Sequence, residues 1–320
     1  MSHVLVSGAN GFVGQALCRA LAGQGNAVTG LVRRAGACVD GAHEWVQPSQ
    51  DFVGLEASWP RMIEVNTVVH LAARVHVMRD LAADPLAAFR ATNVDGTMRV
   101  AEAARRNGVA RFVFVSSIKA LAESDRGEAL REDDSPRPLD PYGRSKLEAE
   151  EALVRFGEVS GLEVVIVRPP LVYGPGVRAN FLRLIEAIAR GVPLPLGAIS
   201  ARRSMIYVDN LVHALMCCAT DPRAADNCFH VADDNAPSVT ELLRMLGDAL
   251  GRPACLFPVP VGALRALGKL TGRSAAIDRL TGSLQLDTGR IKRTLDWHPP
   301  YSTRQGLEAT AAWYRSRDTR

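Results

Sequence analysis

Short apolar runs that end in small residues alternate with helically spaced segments along the first half of the chain. "HVLVSG" (3–8), "AVTGLV" (27–32), "TVVHLAA" (67–73), "RFVFVSS" (111–117) and "LEVVIVRP" (162–169) read as strands. Their continuous β-branched and aromatic character suits strands covered on both faces. "FVGQALCRALAGQG" (12–25) and "DPLAAFRATNVDGTMRVAEAARRNG" (84–108) place apolar residues at helical intervals, and a charged helix opens near "DPYGRSKLEAE" (140–150). Strand–helix alternation predicts an α/β fold, a doubly wound parallel sheet with helices on both faces.

After Pro169 the pattern changes. "PPLVYGPG" (169–176) is a turn-rich exit, 180–191 is helical, 204–220 reads as strand then helix, and 227–233 is a short strand. Ser238 and Glu241 form a capping box for a helix over 238–251. The expected organisation is a dinucleotide-binding domain over 1–175, with a return segment at 204–233. The remainder, 176–320, is expected to be mainly a smaller substrate-binding domain. "PVPVGALRALGKLTG" (258–272) is expected to pack on its own domain, because it carries little cationic face.

Composition narrows the partners. Apolar residues make up 47% of 320, enough for a sizeable core, and the formal net charge is +4. The basic residues are dispersed, which suits an anionic small molecule and argues against nucleic acid. Six cysteines form no CxxC pair, and seven histidines show no HExxH spacing, so no catalytic metal is expected. His76, after the "HLAAR" turn, is expected to be a loop histidine without a catalytic role. "MSHVLVSGANG" lacks the pattern of a secretory leader, and no apolar run reaches the ~18 residues of a membrane span. A cytoplasmic protein without membrane insertion is the expectation.

"GANGFVG" sets Gly8, Gly11 and Gly14 between the first strand and the first helix, with Asn10, Phe12 and Val13 in the same turn. In that context the glycines make a tight turn, admit a pyrophosphate to the backbone and let helix and strand pack closely. The prediction is a Rossmann-like dinucleotide site. The second strand ends at Val32, where a carboxylate would grip the adenosine ribose; Arg33 and Arg34 follow instead, and Asp40 is too far along. Arginine can pair with a 2′-phosphate, so NADP(H) is favoured, with NAD possible.

Ser117 ends the "RFVFVSS" strand, and Tyr142 and Lys146 lie one helical turn apart just beyond Asp140 and Pro141. A phenol can give a proton to a carbonyl that accepts hydride, or take it from an alcohol in reverse. Its ordinary pKa is about 10. The Lys146 ammonium, together with a bound nicotinamide cation, is expected to lower it. Ser117 can hydrogen-bond the same substrate oxygen.

"GANGFVG", "HLAA" (70–73), Asn93, "VSS" (115–117) and "YGRSK" (142–146) occur in this order. The chain resembles the extended short-chain dehydrogenase/reductases, the nucleotide-sugar epimerase/dehydratase family, over nearly its whole length. The resemblance implies Ser117, Tyr142 and Lys146 as the catalytic triad. It places Leu71, Ala72, Ala73, Asn93 and Pro169 at the cofactor, with Tyr142 and Lys146. It makes Arg74, Ser117, Asn180, Arg202, Arg203 and Arg279 candidates for the substrate. It also implies a homodimer, with apolar positions over 147–157 at the interface. Ile118 and Lys119 follow Ser117, where family dehydratases carry an acidic pair, and the missing acid at Val32 counts against an epimerase. "SSIKALAE" (116–123) and "DTGRIKRTLDWHPPYSTRQGL" (287–307) resemble bacterial UDP-N-acetylquinovosamine dehydrogenases. The expectation is therefore an NADP-dependent 4-ketoreductase acting on UDP-4-keto-6-deoxy-N-acetylglucosamine, in O-antigen and lipopolysaccharide synthesis. The alternative is a UDP-sugar 4-epimerase, for UDP-glucose or UDP-N-acetylglucosamine, with bound NAD.

Overall fold

The computed structural model describes residues 2–37, 41–59, 64–75, 84–272 and 274–318. His76, Asp40 and Cys38 lie outside them. In chain order the elements are β1 (His3–Ser7), α1 (Phe12–Gly23), β2 (Ala27–Val32), β3 (His43–Val46), β4 (Thr67–His70), α2 (Pro85–Arg90), α3 (Thr97–Arg106), β5 (Arg111–Val115), α4 (Pro141–Ser160) and β6 (Glu163–Arg168). There follow β7 (Leu171–Tyr173), α5 (Ala179–Ala189), β8 (Met205–Tyr207), α6 (Val208–Thr220), β9 (Cys228–His230), α7 (Val239–Leu250), α8 (Val261–Leu270), α9 (Ser274–Thr281), α10 (Gly289–Leu295) and α11 (Thr303–Asp318).

Among the described residues one sheet has the order β3-β2-β1-β4-β5-β6-β9, parallel throughout. Side chains alternate across it as the period of a strand requires. Val4, Val6, Val69, Val113, Val165 and Val167 face a core shared with α1, α6 and α10. Leu5, Val68, Phe112, Phe114, Val164 and Ile166 face the opposite core, with α3 and α4. The sheet is buried on both sides, so its strands read as continuous apolar runs. The predicted parallel α/β fold, with a smaller helical C-terminal subdomain, is the fold of this chain.

Strand order reverses at β1, whose neighbours are β2 and β4. The crevice beyond their carboxyl ends is where such sheets bind ligands. A third core fills the C-terminal lobe, from Phe181 and Ile185 of α5 to Leu243 and Leu246 of α7 and Leu307 of α11. A buried carboxylate fastens this lobe to the sheet. Asp233 accepts from Tyr173 Oη (2.7 Å), the Tyr207 amide (3.0 Å) and Asn210 Nδ2 (2.7 Å).

Two features depart from the sequence reading. Strand β3, "HEWV", pairs with β2 although only Trp45 of its four residues is buried. The helix read over 84–108 is interrupted by a π-turn over Ala91–Gly96 that buries Asn93.

An ion pair ties β6 to α4. Arg168 donates to Glu150 through Nε (3.0 Å) and Nη2 (2.6 Å), and both side chains are more than nine-tenths buried. Removing one member of such a pair strands a charge in low dielectric. Glu150→Ala is expected to cost about 3–5 kcal/mol, read as a lower urea midpoint at unchanged slope. A loss under about 1 kcal/mol, the scale of an exposed pair, would mean the arginine finds other solvation.

Candidate active site

The crevice is built from backbone outward. Gly8 has φ +69°, and a Cβ there would lie 2.9 Å from the Ala72 nitrogen and 3.2 Å from the Leu71 carbonyl carbon. A Cβ at Gly14 would overlap the Gly8 carbonyl oxygen. Two glycines thus let the first loop sit against the end of β4 while α1 starts at once. Asn10 and Gly11 are exposed at the crevice, and Phe12 and Val13 are half-buried behind them. Gly11 is the N-cap of α1; no side chain among the described residues caps it, and the first turn has no acid. Free amides and the positive end of a helix dipole fit a pyrophosphate. The cradle therefore fits a dinucleotide.

A hydrogen-bonded chain runs from this loop to α4. Ser7 Oγ accepts from the Leu71 and Ala72 amides, both at 3.2 Å, and so donates to His70 Nδ1 at 2.7 Å. His70 Nε2 then donates to Thr97 Oγ1 (3.1 Å), which donates to the Asn93 carbonyl (2.7 Å). The Asn93 side chain clasps the Arg74 backbone, accepting from its amide (2.8 Å) and donating to its carbonyl (3.0 Å). It also donates to Ser145 Oγ (2.9 Å), which donates to the Tyr142 carbonyl (2.8 Å). His70 is fully buried among Phe52, Phe112 and Phe114, and burial first, then the Lys146 charge, lowers its pKa to about 3.

Ser117 and Tyr142 meet. Ser117 caps a short turn, Ile118–Ala120, by accepting from the Lys119 amide at 3.2 Å. Asp140 caps α4 by accepting from Gly143 N at 2.7 Å, and Pro141 fills its first position. Lys119 Nζ binds the same carboxylate at 2.5 Å, and Glu123 at 3.3 Å, so the two turns are clamped together. Gly143 permits the approach, because a Cβ there would overlap the Lys119 carbonyl oxygen. The Ser117 hydroxyl is near enough to the Tyr142 phenol to act on its titration. Its ring stands edge-on to Phe89, 6.0 Å between centroids, and the Arg74 guanidinium lies 5.5 Å from the centre of the Phe89 ring.

Lys146 lies one turn behind Tyr142 and is 1% exposed. Its Nζ donates to the Val115 carbonyl (2.8 Å) and sits 4.0 Å over the Phe114 ring. Burial pulls its pKa down to about 7, and the Glu150 charge opposes that. The Tyr142 phenol is pushed up to about 12: burial leads, the Ser117 hydrogen bond opposes it, and the Asp140 charge adds to it. In the protein alone, desolvation outweighs any lowering of the phenol by Lys146.

The remaining predicted residues are spread around this centre. Leu71, Ala72, Ala73 and Arg74 line the segment after β4, half-buried, and the Pro169 carbonyl accepts from Ile118 N at 3.0 Å. Asn180 is exposed in the first turn of α5. Arg202 donates to the Ala236 carbonyl (3.0 Å), beside a cavity of about 370 Å³ in the C-terminal lobe. Arg203 Nη1 is committed to the Arg279 and Gly282 carbonyls (2.7 and 2.8 Å), and Arg279 pairs with Glu123 at 3.8 Å. The sequence reading missed Lys119 and Asp140 as a clamp, Gly143 as a spacer, and Ser7, His70, Thr97 and Ser145 as supports. His70 and Ser145 stood inside motifs already singled out; the pairing of Lys119 with the cap residue Asp140 carried no local signal.

The model of the NAD dependent epimerase/dehydratase family matches residues 4–232. The chain belongs to that family. It is 40% identical over 311 residues to the UDP-glucose 4-epimerase of Vibrio cholerae, covering 96% of this chain and 94% of that one. It superposes on MoeE5 in complex with UDP-glucose and NAD, with TM-score 0.78, 28% identity and 99% coverage of each chain. The UDP-glucose 4-epimerase of Thermotoga maritima, solved with UDP-glucose, shares the fold at TM-score 0.79 and 24% identity, with coverage of 98% and 99%.

These relatives correct two expectations. The 4-ketoreductase reading is overturned by the family's UDP-glucose 4-epimerase, which matches along nearly the whole chain. The preference for NADP, drawn from Arg33 and Arg34, is overturned by the NAD complexes of MoeE5. Both arginines are exposed beyond the buried end of β2. A missing carboxylate removes a repulsion; it does not create a phosphate site.

Two outcomes test the geometry. Gly143→Ala should push α4 off the Lys119 carbonyl and separate Tyr142 from Ser117, cutting kcat about 10–100-fold with the fold retained; an unchanged kcat would show that the turn yields at no cost. His70, neutral when folded, refuses a proton that the unfolded chain accepts below about pH 6.5. Its contribution to stability is intact above that pH and falls as pH drops, levelling near 3. Urea unfolding should show a loss of roughly 2 kcal/mol from His70 between pH 7 and 5, and a His70→Gln variant should lack that share.

Proposed function

We propose that this protein is a UDP-sugar 4-epimerase that acts on UDP-glucose with bound NAD. The observation that carries the reading is the convergence of Ser117, Tyr142 and Lys146 beyond the end of β5, where Lys146 Nζ donates to the Val115 carbonyl and Gly143 packs on the Lys119 carbonyl. The 40% identity to the V. cholerae UDP-glucose 4-epimerase supports the choice of substrate.

In this reading the uncapped start of α1 and the backbone of Asn10 and Gly11 hold the pyrophosphate, and residues 71–73 line the adjoining cleft. NAD bound there would supply a reversible hydride acceptor for the sugar C4. Tyr142 Oη removes the C4 hydroxyl proton and later gives it back. Ser117 Oγ hydrogen-bonds the same sugar oxygen and keeps it facing the phenol. Lys146 presents its positive charge from behind, which favours the phenolate that burial alone opposes. Cations at the cleft rim, Arg74 first, face the nucleotide end of the substrate. We place the enzyme in the cytoplasm as a homodimer that pairs through α4, whose Val154 is 43% exposed.

Incubation of the purified protein with UDP-glucose is expected to yield UDP-galactose with no net change in nicotinamide absorbance. Tyr142→Phe should slow this at least about a hundredfold while leaving NAD binding intact. Stoichiometric consumption of added reduced cofactor, with no UDP-galactose formed, would sink the epimerase reading.

A further inference from the structure

Helix α4 opens with a charge in an awkward place. Its cap, Asp140, stands two residues before Tyr142, and the Asp140 side chain is only 17% exposed. The carboxylate is needed there, because Oδ1 accepts from Gly143 N at 2.7 Å and closes the first turn. A negative charge so placed also opposes ionisation of the phenol, which burial already opposes. In the proposed reaction Tyr142 takes the sugar proton as a phenolate. The residue that starts the helix therefore acts against the residue that serves the site.

Lys119 meets this charge. It lies two residues past Ser117, in the short turn Ile118–Ala120. Its Nζ donates to Asp140 Oδ2 at 2.5 Å, the oxygen that the cap does not use. The lysine side chain is 27% exposed, so solvent screens the pair only in part. Glu123, one turn on, holds the ammonium at 3.3 Å and is itself paired with Arg279 at 3.8 Å. Ser117 already caps the turn and Asp140 the helix, so the lysine side chain adds no cap of its own. What it adds is charge. The other charges on the elements around Tyr142 are engaged elsewhere: Arg74 lies over the Phe89 ring, Arg90 of α2 binds Glu148, Arg99 of α3 binds the Asp51 carbonyl, Arg168 of β6 binds Glu150, and Lys146 Nζ binds the Val115 carbonyl. Asp95 of the π-turn is exposed to solvent.

We propose that Lys119 is a positioning residue of the active site: it cancels the charge of the α4 cap, so that Asp140 starts the helix without repelling the Tyr142 phenolate. The inference deepens the epimerase reading and rests on it for the part of Tyr142 in proton exchange. It makes the turn after Ser117 an electrostatic partner of Tyr142 as well as its neighbour.

The test compares Lys119→Met, Lys119→Arg and the double variant Lys119→Met with Asp140→Asn, whose amide oxygen keeps the cap. One readout is the pH dependence of kcat on UDP-glucose. The other is the titration of Tyr142 itself, followed as the phenolate absorbance of the NAD complex against that of Tyr142→Phe. In Lys119→Met the half-titration should rise by about one pH unit. Less phenolate is then present near neutral pH, so kcat should fall about tenfold there and recover at alkaline pH, with KM little changed. Lys119→Arg should keep the wild-type profile. The double variant should regain it, since the repelling charge is gone along with its partner. Lys119→Gln gives the same comparison if Lys119→Met does not fold. An unmoved titration on loss of the lysine would overturn the proposal. So would a double variant as impaired as the single one, because the pair would then be a structural clamp alone. If the wild type forms no UDP-galactose, the epimerase reading fails, and the Tyr142 titration still decides the role of Lys119.

Discussion

A neutral imidazole has one donor and one acceptor, and in this protein both are spent on holding the crevice together. His70 sits at the end of β4, in register with Ser7 of β1. Three phenyl rings exclude the charged form, and Ser7 Oγ, which accepts from two amides, gives its proton to Nδ1, so Nε2 carries the ring's proton and donates. That fixes the direction of every bond on either side of it. Ser7 must donate to the ring, which leaves its lone pairs for the amides that begin the segment after β4. Thr97 must accept from the ring, which leaves its proton for Asn93. The π-turn follows from the same need, since it turns Asn93 inward, where it spans Arg74 and Ser145.

Along α4, charge and burial oppose each other in sequence. Tyr142, Lys146 and Glu150 lie four residues apart, on one face of the helix. Burial pushes the phenol up and the ammonium down, both toward neutral forms. Glu150 opposes this for Lys146, and Arg168 grips its carboxylate through two nitrogens. The ammonium also rests on the Phe114 ring, which stacks against His70 as well. A helix that carries only the tyrosine and lysine would bury a cation with little to favour its charge. The glutamate and arginine belong to the same electrostatic unit, although neither touches the hydroxyls at the mouth.

What could be read from sequence was what neighbouring residues determine. The buried strands, the glycine turn and the Tyr–Lys spacing are local patterns, and each resides in a single element. Strand β3 escaped because a half-exposed edge strand carries no apolar run. The Lys119–Asp140 clamp escaped because its members are 21 residues apart and meet only once α4 packs beside β5. Arg203 looked like an open cation because nothing in its neighbourhood of the chain announces carbonyls 76 and 79 residues away.

The absence of an acid at Val32 and the presence of Arg33 and Arg34 act on cofactor choice separately. A carboxylate at the strand end disfavours a 2′-phosphate by repulsion and favours ribose hydroxyls by hydrogen bonding. Its loss weakens both effects. Arginine adds attraction for a phosphate only if its fork is held where that phosphate sits. An exposed arginine just past a strand end carries the entropy of a long free side chain, which any specific pairing must overcome. It can equally lie against the adenine ring that both cofactors share. Charge near a site is therefore evidence of selectivity only when the fold fixes it, as it does for Arg168 and does not for Arg33 and Arg34.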